Sequence, residues 1–140
     1  MANDPDLSQV ARGLAAVRAA ESLLRTLGGG TVYVRIPTDI ISADDASQLG
    51  LRAVATEDIE LSPAVTRALK KTKDSPRKME LSLSAASLSR AKDIQDAGSA
   101  EQFFAAALGV VYAEKLWRIE SVAIDDFGGM PYLYRLIVAE

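Results

Sequence analysis

Apolar residues recur at spacings of three, four and seven from Leu7 through Val10, Leu14 and Val17 to Leu24, with alanines filling the gaps. That period predicts an amphipathic helix. Asp4-Pro5 offers an N-cap and a proline at the first helical position, and Gly28-Gly29-Gly30 stops the run. Such a helix, roughly 23 residues at 1.5 Å per residue, would be about 34 Å long. Arg18, Glu21 and Arg25 fall within one turn of each other and predict an ion-pair ladder on its surface. The apolar stripe is expected to pack on the protein's own sheet. In a sharper reading, part of it packs on a neighbouring copy.

The period then changes to two. Val32, Val34 and Ile36 alternate with Tyr33 and Arg35 in a strand ended by Pro37. Residues 38–56 carry no clear period; within them DDASQLGL is compatible with a short helical turn stopped at Gly50. Ile59 and Leu61 suggest a short strand stopped by Pro63, and ALKKTKDSPRK has loop chemistry. Met79, Leu81, Leu83 and Ala85 alternate with Glu80, Ser82 and Ser84, as in a half-buried strand. Ser99 to Gln102 has the form of a capping box. A short helix is expected over 99–108, closed by Gly109, with Phe103, Phe104, Ala107 and Leu108 on the core. The tail reads as a meander: VVYA, a tight turn at Glu114-Lys115, LWRIESVAI, a turn over DDFGGMP, and YLYRLIV. Tyr132, Tyr134, Leu136 and Val138 share one face of the last strand. The expected fold is a single α+β domain over 1–140: a helix over 1–28, strands and loops over 31–89, a short second helix, and a β-meander over 110–140. Its sheet is expected to be mostly antiparallel, a small sheet or partial barrel.

Composition narrows the chemistry. The 140 residues include no histidine and no cysteine. The commonest general base, the commonest metal ligand and any thiolate site are therefore missing. LGGGTVYV has its glycines after a helix, whereas a phosphate loop places them before one. Asp44-Asp45 and Asp125-Asp126 are adjacent carboxylates, which point to opposite faces of an extended chain and read as solvated turns. No Gly-x-Ser-x-Gly elbow occurs, and Ser62 and Lys70 are not at a recognised catalytic spacing. No enzyme activity, catalytic residue, metal or cofactor is expected. The polar, acidic start does not resemble a signal peptide, and no apolar run approaches the roughly 20 residues of a membrane span. A protein made in the cytosol is expected.

Charge is where the sequence is uneven. The net charge is -3, but residues 62–92 carry eight bases and two acids, and acidic stretches lie on both sides. Arg67, Lys70, Lys71, Lys73, Arg77 and Lys78 place six bases in twelve residues. Three readings stand: a solvated loop, a contact for nucleic-acid phosphates, or a patch that meets an acidic neighbour in a ring of copies. No aromatic lies within the run to stack on bases. Trp117 and Tyr112 are expected in the core. Phe127, between Asp125-Asp126 and two glycines, is expected at a loop tip and suits a subunit contact through all three residues.

The ending YAEKLWRIESVAIDDFGGMPYLYRLIVAE resembles the closing hairpin of small neck proteins of tailed bacteriophages, the head-completion or head-closure connectors. A tight turn leads to an aromatic-Arg-Ile-x-x-Val strand, here Trp117-Arg118-Ile119-Glu120-Ser121-Val122. A glycine-bearing turn, Phe127-Gly128-Gly129, precedes a last strand from Tyr132 to Val138. The family builds a small barrel-like sheet with long loops, and this chain departs from it by opening with a long helix. The resemblance implies a virion structural protein of a phage or prophage, assembled in the host cytoplasm. It would form a ring of copies between portal and tail proteins, with DNA passing through, no small-molecule substrate and no membrane contact.

Overall fold

A computed structural model describes residues 7–38, 55–91, 94 and 99–140. The expected helix start at Asp4-Pro5, and the helical turn, Gly50 stop and Asp44-Asp45 pair between Thr38 and Ala55, lie outside those residues. The long helix is α1 (Leu7–Thr26). Its end is set by backbone chemistry. Gly28, at φ +81°, donates to the Arg25 carbonyl at 3.1 Å, and Gly29 donates to that of Leu24 at 2.9 Å. Glycine makes this reversal because it enters the left-handed region without a Cβ penalty. A Cβ on Gly29 would lie 2.8 Å from that of Pro63, so the helix end is pressed onto the sheet.

Six strands follow: β1 (Gly30–Thr38), β2 (Ala55–Ala68), β3 (Lys78–Ser84), β4 (Gly109–Tyr112), β5 (Lys115–Phe127) and β6 (Met130–Ala139). Among the described residues between β3 and β4 are two short helices, α2 (Ala85–Arg90) and α3 (Ala100–Ala106). The strands form a closed barrel in the order β1-β2-β3-β6-β5-β4, every pair antiparallel. The fold is thus α+β, with the sheet closed on itself.

Two long strands make the closure. β2 pairs with β1 through residues 55–61 and again at Ala64, and with β3 from Ala64 onward. β5 pairs with β4 up to Trp117 and with β6 thereafter. Each carries a bulge. Between the Leu61–Val32 and Ala64–Gly30 pairs, β2 has one residue more than β1. The inward set therefore changes from Ile59 and Leu61 to Ala64 while both halves stay core-facing. Pro63 was expected to stop this strand. It lies instead in the bulge, where its missing N–H costs no ladder bond, and the strand continues for 14 residues. In β5 the extra residue is Glu120.

The barrel interior is filled by Val32, Val34, Leu61, Leu81, Leu83, Val110, Leu136 and Val138, each almost fully buried. Phe103 and Phe104, edge to face with centroids 5.3 Å apart, join Leu88, Ile94 and Trp117 in the same core. Helix α2 had no expected counterpart. Ser84 ends β3 and caps it, its hydroxyl accepting from the Ser87 amide at 3.2 Å, so Ala85 is a helical residue and not a strand residue. Helix α3 begins as the capping box implies, with Ser99 accepting from the Gln102 amide. It ends at Ala106, and Leu108 is turned out, 45% exposed, where the chain joins the barrel through its amide on the Arg35 carbonyl.

Helix α1 lies across the outside of the barrel on β6, β3 and β2. Leu24 is its buried anchor. Further along, Gly13 lets β6 approach: a Cβ there would meet the Met130 Sδ at 2.8 Å. The expected ladder is rearranged. Glu21 pairs with Arg25 at 3.3 Å and with Arg90 of α2 at 2.7 Å, and Arg90 also donates to the Ser62 carbonyl. Arg90 thus ties both helices to the β2 bulge.

Candidate interaction surfaces

The basic run spans the β2–β3 connection. Arg67 ends β2 on its outer face, Lys70, Lys71, Lys73 and Arg77 are exposed in the loop, and Lys78 opens β3. The register divides these six. Arg67 faces Glu80 across the ladder and reaches it at 3.3 Å. Lys78 reaches Glu120 in the β5 bulge at 2.9 Å. That hydrogen bond, with the nearby charges of Lys78 and Arg118, holds the Glu120 carboxyl below the usual carboxylate range. Lys70, Lys71, Lys73 and Arg77 make no ion pair with another described residue. The loop is not loose at its base. The Leu69 amide bonds the Lys78 carbonyl, and the Glu140 amide bonds that of Arg77. Glu140 also meets Lys115 at 2.8 Å, and its carboxyl is held low chiefly by that bond, with added charge from Arg77 and Lys71.

The second candidate surface is the tip of the β5–β6 hairpin. It is tighter than the expected DDFGGMP turn. Phe127 pairs with Met130, and only Gly128 and Gly129, at φ +60° and +82°, make the reversal. A two-residue turn with both centres in the left-handed region matches the twist of paired strands. Phe127 is 45% exposed and Asp126 is exposed beside it. Asp125 is engaged within the sheet: Arg135 grips it with two hydrogen bonds, at 2.8 and 3.0 Å.

Strand direction places these surfaces apart. β6 runs from the tip at Met130 to Ala139, which pairs with Lys78 at the base of the basic loop. The cationic loop and the Phe127 tip therefore occupy opposite ends of the barrel.

A third surface escaped the sequence reading. Ala16, Ala20 and Leu23 of α1 and Leu27 just past its end form a second apolar stripe, at spacings of four, three and four, beside the one anchored by Leu24. Leu23 and Leu27 are 58% and 61% exposed. With Val65, Ser82, Tyr132 and Leu133 of the barrel they line a groove of about 430 Å³. The helical spacing was visible in the sequence, but alanine masked it.

Among the described residues there is no group of acids placed to hold a metal ion and no helix long and apolar enough to cross a membrane. No family model, curated protein or solved structure matches this chain.

Proposed function

We propose that the protein is a structural component of a tailed-phage or prophage virion, a head–tail connector part that stands in a ring between portal and tail. The observation that carries this reading is the placement of two unlike contact surfaces at opposite ends of one closed barrel. A part that joins two neighbours must hold two faces in fixed relation, and a sheet closed by hydrogen bonds does so with little internal freedom. Its action is mechanical and electrostatic. The cationic loop meets an acidic neighbour or passing DNA, and the hairpin tip meets another subunit. The resemblance of the C-terminal hairpin to phage neck proteins points the same way. The test is the DNA that flanks the gene, followed by mass spectrometry of purified particles. Adjacent genes for a portal, capsid or tail tube, and presence of the chain in particles, are expected. Neighbours without virion character and absence from particles would overturn the reading.

A second reading is a small nucleic-acid-binding module that uses residues 67–78. The four loop cations without an ion pair to a described residue favour it, since a cation already paired has less to gain from a phosphate.

A further inference from the structure

We infer that the Phe127 tip of one copy seats in the groove between α1 and the barrel of a second copy. The inference takes its ring geometry from the function proposed above and names the interface that would build it. A helix flank facing only water is expected to be polar. Here one flank carries Ala16, Ala20, Leu23 and Leu27, and the barrel floor beneath adds Val65 and Leu133. The tip has the complementary shape. Its last side chain is a half-exposed phenyl ring, and the two glycines beyond it add no bulk. A groove of this size lies within the range that holds a drug-sized ligand, so a phenyl ring and a narrow turn fit.

Charge agrees with shape. Arg67 lies two residues along β2 from Val65 on the same outer face. Arg67 makes a single hydrogen bond to Glu80 and stays largely exposed, so it has donors left for the Asp126 that accompanies Phe127. Beyond Arg67 lies the cationic loop. The acidic tip of one barrel thus approaches Arg67 on the flank of the next. Tip and groove are different surfaces, so the contact is head to tail, and repeated around a closing rotation it forms a ring.

The absence of cysteine makes the test direct. Single variants Phe127→Cys and Leu23→Cys, both at exposed positions, are mixed at high concentration under mild oxidation. The mixed disulfide-linked dimer is expected at ten times or more the yield of either variant alone. Leu23→Cys homodimers in equal or greater amount would mean symmetric helix pairing and would overturn the inference, as would background cross-linking in the mixture. Asp126→Arg should reduce the mixed product several-fold, and Arg67→Glu in the partner should restore it. No effect of Asp126→Arg would also count against the proposed seating. Native mass spectrometry of the unmodified protein separates this from the ring itself. Oligomers without the Phe127–Leu23 cross-link would reject the interface and leave the ring standing. Absence of the chain from particles would reject the connector role whatever the cross-link shows.

Discussion

Where the basic loop meets DNA as proposed, changing Lys70, Lys71 and Lys73 together to glutamate should abolish duplex binding, and the salt dependence before that change should report how many cations take part. The sequence offers six bases in residues 67–78. The structure leaves four without an ion pair to a described residue, because Arg67 is engaged by Glu80 and Lys78 by Glu120. Each neutralised phosphate contributes about -0.9 to the slope of log K against log salt, so four cations predict a slope of roughly -3.6. Between 50 and 200 mM salt that slope weakens binding roughly 150-fold, whereas six cations would weaken it roughly 1,800-fold. Fluorescence anisotropy with a labelled duplex at several salt concentrations measures it. A slope near -5.4 would show that the two ion pairs open on binding. No binding at low salt would remove the DNA contact and leave the loop to an acidic protein neighbour. Arg67→Gln serves as the control, because a cation held by Glu80 should barely change the slope.

Three further outcomes follow from the packing. Leu81 is fully buried at the centre of the barrel, so Leu81→Ala should lower unfolding free energy by about 2–5 kcal/mol; a loss under about 1 kcal/mol in urea titration would mean that the barrel collapses around the gap. Ala113 and Glu114 both have positive φ, 50° and 65°, in the two-residue β4–β5 turn. Replacing them with Asn-Gly should raise stability by about 1–2 kcal/mol, seen as a higher denaturation midpoint at unchanged slope. The carboxyls of Glu21, Asp58, Glu120 and Glu140 are all held low, mainly by hydrogen bonds from Arg90, Arg35, Lys78 and Lys115 respectively. A depressed carboxyl contributes stability that is fully present above its unfolded pKa and is lost as pH falls through the folded one. With no histidine to titrate, Tm should be nearly flat from about pH 6 to 8 and fall below about pH 4.5. A step near neutrality would contradict this account.

What the sequence disclosed was what short-range periodicity can carry. Val32, Val34 and Ile36, Met79, Leu81 and Leu83, and Tyr134, Leu136 and Val138 alternate locally, and each set is on the core side or partly buried there. The long helix and the Ser99 cap are similarly local. Closure of the barrel is not. It depends on Tyr33 to Arg35 meeting Gly109 to Val111, residues distant in the chain with no signal that names each other. Pro63 read as a stop because a bulge is defined by the partner strand and not by the strand that contains it. Helix α2 covers six residues, too few for a helical period to show. Of the candidate surfaces, the basic run and Phe127 were visible by residue type. That two of the six bases meet Glu80 and Glu120 follows only from ladder register and the Glu120 bulge.

The β1–β4 ladder closes the sheet through Tyr33 to Arg35 and Gly109 to Val111, so none of the six described strands is a free edge along its whole length. Barrel closure thus leaves little edge for one copy to lend a strand to another, the route that makes many β assemblies slow to form and hard to undo. In the proposed ring, contacts would instead be made by side chains and loop tips standing on finished barrels. Such joints form without refolding either partner and separate on dilution. The assembly state of this protein should accordingly follow its concentration and the salt around it, reversibly and without memory of how it was reached.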